Sequence, residues 1–208
     1  MFAQDPFPAA LVLAAGFSRR MGCFKLTLPW GDRTVIGQVV ATLTAAGLQE
    51  IVVVTGHRAE EVVAALAGTD VRFVPNPAYA AGEMLSSVQV GLAGLSTDCP
   101  AALLCLGDQP QMEAATVRAI IAAGRTAGWQ KIVIPSYRMR AGHPILLPRW
   151  LWGEVLACQS TLRDVLAGRR SETIFLAVET PTVLADLDTP EDYARATSNV
   201  SRETSYVK

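Results

Sequence analysis

Two kinds of hydrophobic pattern alternate along the chain. Short continuous apolar runs are separated by longer stretches in which apolar residues recur every three or four positions. The first pattern is typical of buried strands and the second of helices that pack on them. The alternation predicts βαβ units, and therefore an α/β fold with a mostly parallel sheet and helices on both faces.

The first 135 residues give the clearest pattern. The predicted strands are residues 10–14, 51–55, 71–74, 101–106 and 131–135, and the predicted helices are residues 35–46, 59–67, 85–95 and 114–127. Gly47, Gly68 and Gly128 each follow a predicted helix, where a residue with positive φ is favoured at the C-terminal end.

The second part of the chain is less regular. It predicts strands at residues 145–147, 174–178 and 183–187, helices at residues 150–157 and 162–167, and a last helix from Pro190. Residues 197–208 are polar and are expected to be loose. Since no repeat or linker interrupts the pattern, we expect one domain over residues 1–208 with its core from about residue 9 to 196.

Composition and charge narrow the function. The 208 residues are 50% hydrophobic and 18% charged, enough for one large core and unlike a disordered protein. The net charge of −1 gives no general basic field, so nucleic acid is not an expected partner. The N-terminal residues MFAQDPFPAA lack a signal-peptide pattern, and no apolar run approaches the ~20 residues of a membrane span. We expect a cytoplasmic protein without a membrane partner.

The loop after the first predicted strand is the main candidate for chemistry. Residues 11–25 read LVLAAGFSRRMGCFK, in which Gly16 and Gly22 enclose two arginines and Lys25 follows. Residues 6–31 carry +3 and the remainder −4, which together give the net −1. Such a loop suits a phosphate-rich ligand, although an ordinary glycine turn with solvated arginines is the alternative. It matches neither GxGxxG nor GxxxxGK[ST], which disfavours dehydrogenases and P-loop NTPases.

Carboxylates form the second part of the candidate site. Asp108 directly follows an apolar strand in LLCLGDQP, where Mg²⁺ shared with phosphates would compensate its charge; capping the next helix is the alternative. A second acidic cluster, VLADLDTPEDY, lies late in the chain. Helix capping explains Glu191 and Asp192. Asp186 and Asp188 are left as candidates for the second metal ligand.

A cationic loop and separated carboxylates indicate phosphoryl or nucleotidyl transfer with a magnesium nucleotide. The chain has only two histidines, His57 and His143. The sequence therefore disfavours a Ser/His/Asp hydrolase, which needs a catalytic histidine. A phosphate monoester has a second pKa of about 6 and is already ionised at pH 7, so as a nucleophile it needs no general base.

The motifs resemble those of a known family. LAAGFSRRMGCFK closely resembles LAAGxSxRMGxxK, the signature loop of nucleotidyltransferases, and similarity continues through VTGHR, NPAYAAG, SSV, GDQP, GHPIL and DLDTPEDY. Their order resembles the molybdenum-cofactor cytidylyltransferases most closely. The resemblance implies a Rossmann-like nucleotidyltransferase fold and an enzyme that transfers CMP from CTP to the phosphate of molybdenum-carrying molybdopterin, releasing pyrophosphate.

The resemblance also implies roles for residues of this chain. Arg20, Lys25 and Asp108 would be catalytic, and Asp108 with Asp188, or less favourably Asp186, would bind Mg²⁺ or Mn²⁺. His143 would face the pterin, with a structural histidine as the alternative. The implied nucleotide-binding residues are Leu13, Ala14, Ala15, Gly16, Ser18, Arg19, Gly22, Thr55, Gly56, Ser87 and Gly107.

Alternatives remain at this point. Relatives that transfer GMP usually carry AGG where this chain has AAG, and this difference favours a pyrimidine nucleotide. Between Gly82 and Ser87, however, the chain has one residue more than some cytidylyltransferases, which leaves GTP as an alternative. A guanylyltransferase for the same cofactor, a cytidylyltransferase for a sugar or polyol phosphate and a non-catalytic cofactor carrier are the rivals. A molybdoenzyme or its chaperone would receive the product.

Overall fold

The computed structural model describes residues 7–80 and 84–205 of the chain. Its strands are β1 (Ala9–Ala14), β2 (Pro29–Trp30), β3 (Arg33–Thr34), β4 (Ile51–Thr55), β5 (Arg72–Pro75), β6 (Ala101–Leu106), β7 (Ile132–Tyr137), β8 (Arg140–Ala141), β9 (Ile145–Pro148) and β10 (Thr173–Ala177). Its helices are α1 (Val35–Ala45), α2 (Ala59–Ala65), α3 (Met84–Ala93), α4 (Ala114–Thr126), α5 (Trp152–Ala157), α6 (Leu162–Ala167) and α7 (Pro190–Ser205). No helix among these residues combines the length and hydropathy needed to cross a bilayer.

The central sheet has the order β10-β7-β9-β6-β1-β4-β5, with β8 paired to β7. Strand β9 runs antiparallel to β6 and β7, and β8 runs antiparallel to β7, whereas the other pairs are parallel. The chain extends from β1 to β4 on one side and later adds β6 on the other side. The strand order therefore reverses between β1 and β6, the place where ligands bind in open α/β sheets.

The core lies on both faces of this sheet. Alternate residues of β1 point to opposite sides, as the strand period requires. Ala10 and Val12 belong to the cluster that includes buried residues of α1, α2 and α4. Ala9 and Leu11 belong to the cluster that includes residues of α3, α5 and α6. The predicted α/β architecture with helices on both faces is thus confirmed.

A third, smaller cluster joins the two ends of the chain. Its buried members are Met21, Trp30, Val35, Leu187 and Ala196. Tyr193 of α7 also donates its hydroxyl hydrogen to the carbonyl oxygen of Pro29. These contacts hold the start of α7, and the acidic segment before it, against the loop that follows β1.

Most predicted elements are confirmed, with ends shifted by at most a few residues, and the three helix-ending glycines have φ values of +97°, +80° and +60°. The predicted strand at residues 183–187 is wrong. Pro181 instead begins a 3₁₀ turn, Pro181–Leu184, in which the Thr180 hydroxyl accepts a hydrogen bond from the Thr182 backbone N–H. The segment that was expected to be loose from residue 197 is also helical as far as Ser205, because buried Ala196 anchors that part of α7.

Gly142 permits a close approach between two segments, and this generates a stability prediction. A Cβ at this position would overlap the Val183 carbonyl oxygen, a backbone atom with no room to move away. We expect Gly142→Ala to lower the free energy of unfolding by about 2 to 3 kcal/mol, measured by urea denaturation.

The matched control is Gly153→Ala in α5, where a Cβ meets no atom within 4 Å. This substitution should leave stability unchanged or raise it by up to about 1 kcal/mol, since alanine favours helix more than glycine does. Equal destabilisation by the two substitutions would contradict the steric explanation.

Candidate active site

A cavity of about 600 Å³ opens beyond the carboxyl ends of β1 and β6. This volume lies within the range typical of small-molecule sites. The wall consists of residues 13–20, Lys25, Leu26, Tyr79, Ala80, Met84, Ser87, Leu106, Asp108, Asp186 and Asp188. Most of the residues predicted to act on a nucleotide therefore meet around one space.

The loop after β1 is shaped by its own backbone. Ser18 has a φ of 54° and Gly22 a φ of +71°, and the short 3₁₀ turn Arg19–Met21 lies between them. The Ser18 hydroxyl accepts a hydrogen bond from the backbone N–H of Lys25 at 3.3 Å. This bond closes the loop and brings Lys25 back towards the end of β1. At Gly16 the missing Cβ leaves open space, so a ligand can approach the backbone there.

Lys25 links the two carboxylates predicted to bind metal. Its Nζ forms a salt bridge with Asp108 and lies 3.3 Å from Asp188 Oδ1. Arg20 Nη2 lies 2.9 Å from Asp188 Oδ2. The Lys25 side chain is only 14% exposed, whereas that of Arg20 is 73% exposed. Lys25 is therefore fixed beside the sheet, whereas Arg20 reaches Asp188 from the solvent side.

Asp186 takes a different partner. Its Oδ1 accepts a hydrogen bond from Gln109 Nε2 at 2.6 Å. The pKa of Asp186 is raised, first because neighbouring atoms exclude water and also because Asp108 and Asp188 repel its charge; the bond from Gln109 opposes this rise. Of the two late aspartates, Asp188 is the one that shares Lys25 with Asp108.

The donor set fits a divalent cation that arrives together with phosphates. No group of three or more His, Cys, Asp or Glu side chains in a metal-binding arrangement occurs within residues 7–80 and 84–205. Asp108 and Asp188 nevertheless share one cation, Lys25. Mg²⁺ is usually bound through one or two carboxylates plus substrate phosphates, so two protein ligands suffice.

Five of the residues predicted to contact substrate do not lie on the cavity wall: Gly22, Thr55, Gly56, Gly107 and His143. The close contacts of Gly56 and Gly107 explain why glycine stands there. A Cβ at Gly56 would lie 2.7 Å from Tyr79 Cβ, and one at Gly107 would lie 2.8 Å from the Leu13 carbonyl oxygen. These two glycines support the wall from behind.

Sequence reasoning missed several wall residues, most clearly an aromatic group. Phe17 stacks near His57 and Tyr79, with ring centroids 4.9 and 5.5 Å away, and the Arg19 guanidinium lies 4.8 Å from the Phe17 ring centroid. Phe17 and Tyr79 both line the cavity. Tyr79 belongs to the NPAYAAG motif, but the motif gives no sign of which side chain faces the ligand. Gln109 in GDQP was also missed; it does not line the cavity, but it holds Asp186, which does.

The fold and the site together are those of an enzyme that acts on a nucleoside triphosphate. The family model of the MobA-like NTP transferase domain matches residues 10–174, and the chain belongs to this family of nucleotidyltransferases. Enzymes of this kind use divalent metals.

Two curated relatives of the chain carry different activities in their names. The chain is 26% identical to the molybdenum cofactor cytidylyltransferase of Escherichia coli K12, over 89% of this chain and 93% of the relative. It is 30% identical to the nicotine blue oxidoreductase of Paenarthrobacter nicotinovorans, over 68% of this chain and 71% of the relative.

Solved structures extend the comparison. The Mycobacterium tuberculosis H37Rv protein Rv0371c superposes with a TM-score of 0.81 at 32% identity, covering 94% of this chain and 100% of that one. A complex of Rv0371C with manganese, also from Mycobacterium tuberculosis H37Rv, has a TM-score of 0.75 at 32% identity, covering 92% and 98%.

His143 generates a pH prediction. Its backbone N–H donates to the Val183 carbonyl oxygen at 2.9 Å, and burial lowers the pKa of its imidazole from 6.5 to about 4, against the opposing charge of Asp108. The folded protein therefore binds fewer protons than the unfolded chain between these pH values. Stability should fall as the pH drops from 6.5 to 4, by on the order of 2 to 3 kcal/mol from this residue.

Denaturant unfolding across this pH range checks the expectation with His143→Gln, in which that part of the pH dependence should disappear. His57→Gln, at the other histidine of the chain, should retain it because His143 is intact. An unchanged pH dependence in His143→Gln would contradict the assignment.

Proposed function

We propose that the protein transfers CMP from CTP to the phosphate of molybdenum-carrying molybdopterin and releases pyrophosphate, yielding molybdopterin cytosine dinucleotide. The observation that carries the nucleotidyl-transfer part is the joint contact of Lys25 with Asp108 and Asp188 at the edge of the cavity. The choice of acceptor is supported by the motif resemblance and by similarity to a molybdenum cofactor cytidylyltransferase over most of the chain.

The cationic side chains account for recognition of the triphosphate. Lys25 and Arg20 are paired with carboxylates, and triphosphate oxygens offer both cations stronger, multiply charged partners. A divalent metal on Asp108 and Asp188 would add positive charge where negative charge develops on the phosphates. An ionised oxygen of the acceptor phosphate then attacks the α-phosphorus, and the bond to the β-phosphate oxygen breaks so that pyrophosphate leaves. Because that oxygen carries no proton at pH 7, no general base is required.

Another part of the cavity wall suits a nucleobase. Phe17 and Tyr79 supply ring surfaces there, and Ser87 supplies a hydroxyl group. The backbone from Ala14 to Gly16 passes along the same wall. We assign base and ribose to this side and the triphosphate to the side of Arg20 and Lys25.

The rival functions differ in what they bind. A guanylyltransferase for the same cofactor would select GTP, and a cytidylyltransferase for a sugar or polyol phosphate would select CTP with another acceptor. A cofactor carrier would need no metal-bound triphosphate, which the retained set of Arg20, Lys25 and Asp108 disfavours. An oxidoreductase, as in the Paenarthrobacter relative, would turn over no nucleoside triphosphate.

A nucleotide panel tests the nucleotide half of the proposal. We expect CTP with Mg²⁺, and not GTP, ATP or UTP, to raise the melting temperature by about 5 to 10 °C when its concentration is 100 times the Kd. The shift should vanish with a chelator or in Asp108→Asn. Asp98→Asn, an exposed aspartate away from the cavity, should keep it.

The outcome of this panel separates the rivals. A shift selective for GTP would favour the guanylyltransferase, and no shift with any nucleotide would overturn the metal-nucleotide site. Incubating the CTP-binding protein with molybdenum-loaded molybdopterin or with sugar phosphates, and measuring pyrophosphate and the dinucleotide product, then identifies the acceptor.

Substitution of the cations tests their roles. We expect Lys25→Ala and Arg20→Ala to lower the rate of CMP transfer by about 10²- to 10³-fold, because each removes a preorganised charge from the transition state. Arg19→Ala should be milder, since the Arg19 guanidinium packs on Phe17 and has no carboxylate partner within the described residues. Comparable losses at Arg19 and Arg20, in steady-state assays of pyrophosphate release, would contradict this placement.

A further inference from the structure

Asn76 lies directly behind the cavity wall and uses every polar group it has. It follows β5 and is 2% exposed. Its backbone N–H donates to the Thr55 carbonyl oxygen at 2.8 Å, and its Oδ1 accepts from the Ala78 N–H at 2.9 Å. Its Nδ2 donates to Ser86 Oγ and to Ser87 Oγ, both at 3.0 Å.

These bonds fix the direction of the hydrogen bond between Asn76 and Ser87. The Ala78 N–H needs an acceptor, so Oδ1 must face it and the NH₂ group must face the serines. An NH₂ group only donates, whereas a hydroxyl has one hydrogen and two lone pairs. Ser87 Oγ therefore accepts from Asn76 through one lone pair and keeps its own hydrogen for another partner.

Ser87 is placed where that hydrogen can reach a ligand in the cavity. It is 7% exposed and lies on the wall. Within the described part of the chain, Asn76 is the hydrogen-bond partner of its hydroxyl. A hydroxyl held in this way offers a donor to the ligand, and cytosine offers two acceptors, the carbonyl oxygen O2 and the ring nitrogen N3.

We propose that Asn76 is a positioning residue: it orients the Ser87 hydroxyl as a donor towards an acceptor atom of the nucleobase. The inference rests on the proposed function, since it assumes that a nucleotide base occupies this side of the cavity. Thr55 contributes through its carbonyl oxygen, which holds the backbone of Asn76 in place.

Asn76→Asp reverses the direction of the bond with little change of shape. One carboxylate oxygen would still accept from the Ala78 N–H. The other would take the place of the NH₂ group and accept a hydrogen bond where the amide donated one. Burial would raise the pKa of the new carboxyl, whereas the Ala78 N–H and the serine hydroxyls would lower it, so binding is measured at pH 8 to keep the carboxylate ionised. Ser87 would then turn its hydrogen to residue 76 and show lone pairs to the base. We expect CTP to bind about 10-fold or more weakly, by isothermal titration calorimetry.

Ser87→Ala removes the donor directly and should weaken CTP binding by a similar factor. The double variant Asn76→Asp/Ser87→Ala should bind CTP no more weakly than either single variant, because both changes remove the same hydrogen bond. Multiplied losses in the double variant would overturn the proposal.

A ligand without a base supplies the control. Inorganic tripolyphosphate with Mg²⁺ would contact only the side of Arg20 and Lys25, so its affinity should be the same for the wild type and all three variants. A merely structural role of Asn76 would instead lower the affinity for both ligands. Asn76→Ala serves as a second variant in case Asn76→Asp does not fold. It leaves Ser87 unoriented rather than reversed, and we expect a loss of about 3-fold for CTP and none for tripolyphosphate.

The outcomes distinguish this inference from the proposed function. Wild-type binding of CTP that is unaffected by Asn76→Asp would overturn only the role of Asn76. Absence of any nucleotide binding by the wild type would overturn both. Selective binding of GTP would overturn the proposed CTP specificity, and the same comparison made with GTP would then decide the role of Asn76.

Discussion

The carboxylates of Asp108, Asp186 and Asp188 lie at one edge of the sheet. Their mutual repulsion has to be offset by nearby cations and hydrogen-bond donors if this edge is to be stable. Lys25 compensates Asp108 and Asp188, and Gln109 donates to Asp186. The segment that carries the two late aspartates, residues 185–188, forms neither helix nor strand. It is attached by the Leu187 N–H, which donates to the Asp108 carbonyl oxygen at 3.2 Å, and by the burial of Leu187 itself. Charge balance is therefore part of the fold as well as of the site.

Lys25 and Arg20 of the first loop differ in burial, and this difference suits them to different roles. Lys25 is nearly enclosed and its backbone is tied to Ser18, so it can hold a phosphate oxygen at a fixed distance from the sheet. Arg20 is mostly exposed, and a long exposed side chain can follow a ligand that changes shape during reaction. Of the two cations, Lys25 is therefore the one less free to move. A preorganised charge of this kind does not have to be reoriented in the transition state.

The sequence was sufficient where one physical rule dominates. Apolar runs predicted the five strands of the central sheet that begin before residue 135, but not the short pair β2 and β3. The rule that ligands bind beyond strand ends located Lys25 and Asp108. At residues 183–187 the alternation in VLADL imitates a strand, but Pro181 begins a 3₁₀ turn there, and the Val183 carbonyl oxygen accepts from the His143 N–H instead of joining a strand ladder. Motifs also do not distinguish residues that line the cavity from residues that pack behind its wall. Gly16 faces open space, whereas Gly56 packs against Tyr79. The direction of a hydrogen bond, as at Asn76, depends on contacts between distant segments that no local pattern encodes.

The contacts that complete the site join the two ends of the chain. Lys25 and Asp188 are 163 residues apart, and Tyr193 and Pro29 are 164 apart. Contacts of such long sequence separation carry a large loop-closure entropy, which other contacts between the two segments have to offset. On the ribosome, where synthesis proceeds from the N-terminus, the cationic loop emerges long before its second carboxylate. A nascent chain thus carries the cationic loop without the acidic segment that balances its charge, and the complete set of ion pairs forms only once Asp188 has been made and has docked.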